Sequence, residues 1–537
     1  MEITEYYLKP NVVIEPLVDN WYAWSHLIPP VTYGLNIIKR HVEIMNSYIL
    51  APNLHMEAVK NPRFLGGPFI DYESDRCEEI KDLLENTLKK REKLISFSNA
   101  ISELDDLLLN EAKGYSMEPL YDKIPTILKG YVELIYDLHN NPSFKFFESL
   151  LYKSEFYDKN SQSIALWLTS NDERPFCLST PRIDSPDVLS LNVPFESEVI
   201  DKISMMRRKP ASIQQITELL NIDSNSKFFN EFFTTEPLTN YKSYGGEKVR
   251  MRYFGHACVL LETSNISILV DPIISYYGYQ TDVDRFSDVD LPDTIDYVLI
   301  THNHQDHILL ETLLPLRHRI KNLVVPKTKA GSLQDPALSL MFKTIGFKNV
   351  VEIDDLESIE FHDCTITGVP FIGEHCDLDI RSKICHHIQI ENFSLLFLAD
   401  SCNIDTMLYH HVQREIGDVD VVFLGMECDG APLSWLYGPL LNDRLERDKD
   451  YSRTISGSNY EQAQKLVNIF NPKELYVYAM GQEPWIKFIS TKEYTDESTP
   501  IIESNKLLDE CKSKGITAER LFGEKELFYD KKLKLHM

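Results

Sequence analysis

Three histidines and one aspartate lie within six residues near the middle of the chain, and this short stretch limits the possible folds more than any other feature. The apolar run 297–300 before it predicts a strand, and an apolar pattern at 308–314 after it predicts a short helix that Pro315 should end. The stretch is therefore predicted to be a strand-to-helix loop at the edge of a sheet. Its ionisable side chains are those of His302, His304, Asp306 and His307.

The chemistry of this loop indicates a metal site. Three imidazoles and a carboxylate buried without a partner would be unfavourable, whereas a divalent metal compensates for their loss of water. Alternate residues of an extended segment point the same way, so His302 and His304 can bind one metal while Asp306 and His307 turn toward a second. The sequence therefore predicts a two-metal site.

The chain is long enough for two domains, because its 537 residues exceed the roughly 250–300 over which a single core usually extends. Polar and turn-forming residues at 234–239 and 244–247 interrupt the hydrophobic pattern and are typical of a linker. We predict a helix-rich, mixed α+β domain over residues 1–245 and an α/β domain over residues 246–537.

The hydrophobic period differs between the two predicted domains. In the first, helices are predicted within 75–160, including 124–131, and at 213–220, with a strand at 163–169. In the second, short strands alternate with helices, which indicates helices covering a sheet. The helices of the second domain are predicted at 308–314, 334–344, 404–416 and 459–469.

Charge and cysteine content exclude several classes of protein. The formal net charge of −27 argues against nucleic acid or an anionic membrane as a partner, since both favour clustered lysines and arginines. Nine scattered cysteines without a CxxC pair are typical of free thiols in a reducing compartment. The first residues are acidic, and no apolar run is long enough to span a bilayer. We therefore predict a cytoplasmic protein.

The loop 302–307 and two apolar runs that end in an aspartate make residues 249–490 resemble the metallo-β-lactamase superfamily. The apolar run that ends in Asp271 and a proline resembles the family's first motif, in which the acid supports the metal loop. The run 396–401 resembles the strand that ends in a bridging aspartate, here Asp400. The resemblance implies an αββα sandwich with two metals bridged by Asp400.

Two departures from the hydrolytic zinc members of that superfamily bear on the metal. Where their third histidine belongs, this chain has adjacent Glu374 and His375, and either could reach the first metal. Their late histidine ligand has no counterpart, because no histidine lies between His411 and His536. With Glu374 the site has three histidines and three carboxylates, which favours iron or manganese over zinc. With His375, a dinuclear zinc hydrolase acting on a thioester, lactone or phosphodiester is the better interpretation.

The glutamate pattern resembles the diiron β-hydroxylases of nonribosomal peptide biosynthesis, of the chloramphenicol-pathway type, over the whole chain. The matching parts are 302–307, 373–375, 398–400 and 425–437. The resemblance implies a non-haem diiron monooxygenase of antibiotic biosynthesis. Its substrate would be an aminoacyl thioester on a peptidyl carrier protein, hydroxylated at Cβ with dioxygen and two electrons from an external donor.

The same resemblance assigns the metal ligands. One iron would be held by His302, His304 and Glu374, and the other by Asp306 and His307. Asp400 would bridge them, and Glu374 and Asp400 are also the candidate catalytic residues. Two zinc or manganese ions are the alternative metals.

The resemblance leaves the role of the first domain open. Residues 1–245 would form an accessory domain that docks the carrier protein or makes a homodimer contact. Another hypothesis is a non-catalytic module that binds a carrier protein and keeps the metal for folding.

Further polar residues are candidates for supporting roles. His256 follows a predicted strand and either orients a metal ligand from beneath or is a structural core histidine. Glu427 and Asp429 follow the strand that ends at Gly425, where open α/β sheets tend to place their sites. One interpretation is that these two residues face the substrate or the metal ligands. The other is that they are solvated loop residues. His375 joins this supporting group if Glu374 is the ligand.

Overall fold

The computed structural model describes residues 4–237, 243–277 and 281–531. The predicted linker lies partly outside these ranges, because residues 238–242 are not among those described. The chain forms two parts on either side of that segment, and each sheet contains strands from only one part. None of the described helices is long and apolar enough to cross a membrane.

The N-terminal part contains three small antiparallel sheets. Its strands are β1 (Glu5–Leu8), β2 (Val12–Val18), β3 (Trp21–Tyr22), β4 (Val132–Tyr136), β5 (Pro142–Phe146), β6 (Gln162–Leu168), β7 (Leu189–Leu191), β8 (Ala211–Ser212) and β9 (Phe233–Thr234). They pair in the orders β3-β2-β6-β7, β8-β1-β9 and β4-β5. The strand predicted at 163–169 is confirmed as β6. Strand β2 is buried along its whole length and lies at the centre of this part.

Helices surround these sheets: α1 (Pro30–Asn36), α2 (Val42–Leu50), α3 (Pro52–Ala58), α4 (Cys77–Lys90), α5 (Glu92–Glu111), α6 (Glu148–Leu151), α7 (Glu198–Met205), α8 (Ile213–Leu220) and α9 (Lys227–Phe232). The predictions of helices after residue 75 and at 213–220 are confirmed by α4, α5 and α8. The helix predicted at 124–131 is wrong. This stretch contains a 3-10 turn that leads into β4, because Pro125 cannot donate a backbone hydrogen bond and Gly130 turns the chain at φ 84°.

The C-terminal part is a sandwich of two seven-stranded sheets. Its strands are β10 (Val249–Gly255), β11 (Cys258–Glu262), β12 (Ser267–Val270), β13 (Ile295–Leu299), β14 (Ile320–Pro326), β15 (Val350–Ile353), β16 (Ser358–Phe361), β17 (Cys364–Pro370), β18 (Ile384–Ile390), β19 (Phe393–Phe397), β20 (Val421–Gly425), β21 (Glu474–Tyr478), β22 (Thr517–Arg520) and β23 (Lys525–Tyr529). The first sheet has the order β15-β14-β13-β12-β11-β10-β23, and the second runs from β16 to β22 in chain order. The last strand therefore returns to pair with the first strand of this part.

The helices of this part are α10 (Leu310–Leu316), α11 (Leu338–Thr344), α12 (Thr406–Ile416), α13 (Leu433–Tyr437), α14 (Arg447–Ser452), α15 (Tyr460–Phe470), α16 (Lys487–Ser490) and α17 (Thr499–Ser513). The four helices predicted here are confirmed as α10, α11, α12 and α15. Helix α10 passes Pro315 by one residue before it becomes a 3-10 turn.

Buried residues show how the layers pack. One apolar core lies between the two sheets. A second lies between the outer face of the second sheet and helices α12, α15 and α17. The largest core joins the outer face of the first sheet and helices α10 and α11 to the N-terminal part. The predicted αββα sandwich is confirmed, and the N-terminal part packs against the face that carries α10.

Candidate metal centre

The predicted metal loop, residues 302–307, lies at an edge of the sandwich, between the end of β13 and the start of α10. His302, His304 and His307 are almost completely buried. Backbone hydrogen bonds from the amides of His307 and Ile308 to the carbonyl of His304 fold the loop into a tight turn. An isolated pairing of His302 with Lys383 ties the loop to the second sheet. The loop therefore lies where the two sheets meet.

His302, His304 and Glu374 form one candidate ligand group, in which the ligand atoms all lie within 4.8 Å of one another. His304 Nδ1 lies 2.9 Å from Glu374 Oε1. The ring of His375 stacks on that of His304, with centroids 4.5 Å apart, and is not part of this group. The arrangement thus presents Glu374 rather than His375 to a first metal.

Asp400 lies between this group and the second candidate site. Its Oδ2 is 3.1 Å from His307 Nε2 and 3.8 Å from His302 Nε2. One carboxylate oxygen therefore faces an imidazole from each predicted site, as a bridging ligand must. Asp306 belongs to a neighbouring group with His307 and His256.

Asp271 supports the loop from beneath and sets the direction of two imidazoles. This fully buried carboxylate accepts hydrogen bonds from the backbone amide and the hydroxyl of Thr301, at 2.8 and 2.5 Å. His307 Nδ1 lies 2.8 Å from Asp271 and donates its proton to it, which leaves Nε2 free to bind a metal. The Thr301 hydroxyl also lies 3.0 Å from His302 Nδ1 and can accept from it, which leaves His302 Nε2 free as well.

The cluster fits a pair of divalent cations. His302 Nε2 and Asp400 Oδ1 are buried and have no hydrogen-bond partner among the described residues. Leaving a buried polar atom unpaired costs about 1–3 kcal/mol, so these atoms are arranged for a ligand. Imidazole and carboxylate donors together suit iron, manganese or zinc, and carboxylates shift the preference toward the first two.

Burial and neighbouring charged groups shift the pKa values of the side chains at this site. Burial raises the pKa of Glu374 to about 7. Burial and the neighbouring imidazoles hold the pKa of His302 well below its usual range. Burial opposes charge on His307 too, but the carboxylates of Asp271 and Asp400 raise its pKa well above the usual range.

The loop that carries Glu374 has an unusual backbone. Gly373, Glu374, Cys376 and Asp377 all have positive φ, between 55° and 80°. Such conformations cost non-glycine residues of order 1 kcal/mol or more each and are concentrated at functional sites.

At Gly425, a Cβ atom would lie 2.5 Å from Asp400 Oδ1. A side chain at Gly425 would therefore displace the Asp400 carboxylate, the predicted bridge.

His256 lies under Asp306, where it was predicted to be either a supporting or a structural residue. Its Nδ1 accepts a hydrogen bond from the backbone amide of Gly481 at 3.2 Å, so in the neutral ring the proton is on Nε2. Nε2 lies 3.5 Å from Asp306 Oδ2. A protonated Nε2 cannot bind a metal, and the geometry therefore favours a role in orienting Asp306.

Glu427 is partly buried, whereas Asp429 is exposed as a solvated loop residue would be, and both lie beside Lys492, a residue that the sequence did not single out. The Glu427 carboxylate forms an ion pair with Lys492, whose Nζ also lies 3.5 Å from the backbone carbonyl of Asp429. Burial raises the pKa of Glu427, and the charges of Asp400 and Asp306 raise it further. The Glu427–Lys492 pair is thus close enough to the metal loop to influence its charge balance. Nothing in the sequence around Lys492 marks it.

Two further residues contact the metal loop from other segments. The Tyr437 hydroxyl lies 2.7 Å from His304 Nε2. His26, from the N-terminal part, lies 3.4 Å from the side-chain amide of Asn303 and stacks on Trp24. Both partners are far away in the sequence, so no local pattern predicts them. The metal loop therefore depends on contacts from both halves of the chain.

Replacing Tyr437 with phenylalanine is expected to weaken binding at the first site by about 10–100-fold, the usual effect of removing a partner of a ligating histidine. His304 faces Glu374 with Nδ1, so the Tyr437 hydroxyl holds the ring with its proton on Nε2. A competition titration with a chelator measures the change. Tyr152→Phe is the control, since its buried hydroxyl lies in the N-terminal part and has no partner among the described residues. Equal metal affinities for the two variants would contradict the assignment.

Comparisons with known families and solved structures cover both parts of the chain. The family described as "Diiron non-heme beta-hydroxylase N-terminal domain" matches residues 7–237, and the "Beta-lactamase superfamily domain" matches residues 250–431. A relative from Streptomyces venezuelae, named 4-amino-L-phenylalanyl-[CmlP-peptidyl-carrier-protein] 3-hydroxylase, is 38% identical over 96% of this chain and 98% of its own. The crystal structure of CmlA, a diiron beta-hydroxylase from the same species, is similar with a TM-score of 0.92 and 37% identity, over 98% of this chain and 100% of that one.

The likeness includes both parts of the chain, not the sandwich alone. The relative's whole length is matched at an identity well above the level at which only folds are shared. The resemblance stated from the loop 302–307 and from Glu374 is therefore confirmed, as are the predicted fold, the enzyme class and the pair of irons. The chain belongs to the family of diiron non-haem β-hydroxylases that join their own N-terminal domain to a β-lactamase-superfamily domain.

Proposed function

We propose that this enzyme hydroxylates the β-carbon of an aminoacyl group held as a thioester on a peptidyl carrier protein. The observation that carries the proposal is the buried group of His302, His304 and Glu374 beside Asp400, in a chain 38% identical to a hydroxylase named for a carrier-bound amino acid. The carboxylate-rich ligand set favours oxidative rather than hydrolytic chemistry.

The proposed ligands divide between two metals. His302, His304 and Glu374 would hold the first, Asp306 and His307 the second, with Asp400 as the bridge. In this assignment Asp271 accepts from Nδ1 of His307 and the Tyr437 hydroxyl accepts from Nε2 of His304, which directs the other nitrogen of each ring at its metal. The residues bind and orient the metals and exclude water, since His302, His304 and His307 are buried and only Asp306 of the four loop residues is partly exposed.

A bound pair of irons would supply the oxidising power, with dioxygen and two electrons as co-reactants. In the balanced reaction one oxygen atom enters the Cβ–H bond as a hydroxyl group. The other oxygen atom leaves as water with two protons and two electrons. An external electron donor is therefore part of the proposal.

The experiment begins with protein expressed in iron-57 medium without added zinc. Elemental analysis and Mössbauer spectroscopy are expected to give a coupled diiron signal. The reduced enzyme is then given aminoacyl-loaded carrier proteins and oxygen-18 gas, and mass spectrometry of the carrier is expected to show one added labelled oxygen. Stoichiometric zinc under iron-rich expression, together with hydrolysis of the thioester, would instead favour the hydrolase interpretation. Full iron loading without turnover on any carrier-bound amino acid would favour a binding module.

Cellular context forms the remaining part of the proposal. We infer a cytoplasmic location, since all nine cysteines are free and seven of them are buried, as is usual in a reducing compartment. The accessory role of residues 1–245, in carrier docking or as a homodimer contact, stays a prediction. Size-exclusion chromatography with light scattering, with and without a carrier protein, separates the two roles.

A further inference from the structure

One short stretch of the N-terminal part, residues 24–41, lies against the surroundings of the first metal site. It contains a 3-10 turn (Ser25–Leu27), helix α1 and the π-helical segment Ile37–His41. π-Helical turns are rare and frequently occur at functional sites. Two side chains of this stretch, those of His26 and Arg40, contact the metal-binding part by separate routes.

Arg40 is connected to the metal site through α13. Its Nη2 donates to the backbone carbonyls of Trp435 and Leu436, at 2.8 and 3.1 Å. The last carbonyls of a helix lack partners within it, and a basic side chain can satisfy them. The next residue of α13 is Tyr437, whose hydroxyl lies 2.7 Å from His304 Nε2. Arg40 therefore holds the helix end that carries the partner of a metal ligand.

His26 contacts the metal loop directly. Its Nε2 lies 3.4 Å from the side-chain nitrogen of Asn303, the residue between His302 and His304. An amide nitrogen only donates, so Nε2 of His26 accepts and the proton of the neutral ring is on Nδ1. Burial lowers the pKa of His26 to about 3, and the ring is therefore neutral near pH 7. His26 thus anchors the loop between the two histidine ligands.

Trp24 joins the two routes. The His26 ring stacks on the Trp24 indole with centroids 4.7 Å apart, and the Arg40 guanidinium lies 5.7 Å from the centre of the same indole. A cation within about 6 Å of an aromatic ring is attracted to it. Trp24 and His26 are almost completely buried. The three side chains therefore pack as one unit.

We propose that Arg40 and His26 are positioning residues of the first metal site. Arg40 acts on His304 through α13 and Tyr437, and His26 acts on the loop through Asn303. The N-terminal part is then a component of the metal centre and not only an accessory domain. This role rests on the proposed function, because the position of His304 matters to the site only if His304 binds metal.

Arg40→Met is expected to weaken metal binding at the first site by about tenfold, the lower end of the usual effect of removing an outer partner of a ligand. Chelator competition on the full-length iron-57 enzyme measures the affinity, and its Mössbauer spectrum is expected to change for one of the two irons only. Arg40→Lys keeps the charge and is expected to restore most of the affinity. Arg208→Met is the matched control, because Nη2 of Arg208 also donates to two carbonyls of the other part, at 2.6 and 2.8 Å.

A double variant tests the route through Tyr437. If Arg40 acts through that residue, Arg40→Met/Tyr437→Phe is expected to bind the first metal no more weakly than Tyr437→Phe alone. Two losses of affinity that multiply would show that Arg40 acts independently of Tyr437, and would overturn its assigned role.

His26→Phe keeps an aromatic ring on Trp24 and removes the acceptor for Asn303, and it is expected to weaken the first site by up to about tenfold. His26→Gln, whose amide oxygen accepts, is expected to restore part of the loss. His55→Phe is the control, since His55 is a buried histidine of the same part that bonds to Ser47 and to the Ile70 amide.

The outcomes separate this role from the ligand assignment. Affinities and spectra of Arg40→Met and His26→Phe that equal those of their controls, while His304→Ala loses the first metal, would overturn the positioning role alone. Unchanged metal binding in His304→Ala would overturn both the positioning role and the ligand set of the proposed function.

Discussion

Glu374→Ala is expected to lose the first metal, with affinity at that site reduced by more than about 100-fold, because it removes a ligand rather than a partner of a ligand. His302 and His304 alone would leave the first metal with only two protein donors besides the Asp400 bridge. Metal analysis after dialysis against a weak chelator measures the loss. Hydroxylation is expected to disappear with the metal.

The adjacent histidine gives the matched control. His375 is as deeply buried as Glu374, and its ring stacks on that of His304, but its ring nitrogens lie outside the ligand group. His375 Nδ1 also lies 2.8 Å from Glu374 Oε2, so His375→Ala removes a partner of the ligand and is expected to weaken the first site by only about 10–100-fold while both metals stay bound. The reverse result, with metal lost in His375→Ala and retained in Glu374→Ala, would support the zinc hydrolase interpretation of the sequence.

Much of the metal loop could be predicted because its signal is local. An apolar strand followed by alternating histidines and a short helix gives the position, direction and burial of His302 and His304 without any knowledge of distant segments. The same holds for the αββα sandwich, whose strands carry strong β-branched and apolar patterns. Asp271 and Asp400 could be placed through the family resemblance, because each follows an apolar strand, β12 and β19, in the order the family shows around the loop.

The remainder of the site depends on contacts that no local pattern encodes. Tyr437 reaches His304 across 133 positions and His26 approaches Asn303 across 277. Lys492 meets Glu427 from a loop without regular structure. The wrongly predicted helix at 124–131 has a different origin: its apolar spacing fits a helix, but the local breakers Pro125 and Gly130 outweigh that spacing. The hydrophobic period of a helix or strand shows which of its faces is buried. It does not show which distant segment packs against that face.

The link between the two parts of the chain passes through the helix that follows the metal loop. Glu311 of α10 lies four positions after His307 and receives two hydrogen bonds from Arg174 of the N-terminal part, both at 2.8 Å. The two side chains are 3% and 8% exposed. The Tyr276 hydroxyl also donates to Glu311. A buried ion pair thus holds the end of the metal loop against the N-terminal part.

Arg174→Met is expected to loosen the metal loop, because it leaves the Glu311 carboxylate buried without its cation, a change that typically costs about 3–5 kcal/mol. Hydrogen–deuterium exchange of the backbone amides in residues 302–316 measures this locally and is expected to accelerate by roughly 100-fold. The double variant Arg174→Met/Glu311→Leu replaces both charges with apolar side chains and is expected to recover most of the protection, since Glu15, the other carboxylate near Arg174, keeps its ion pair with Arg182. Arg76→Met, which removes a partly exposed pair with Glu79, serves as the control and should stay near wild type. If Arg174→Met exchanges no faster than Arg76→Met, the ion pair does not secure the loop, and the apolar core shared by α10 and the N-terminal part must hold it instead.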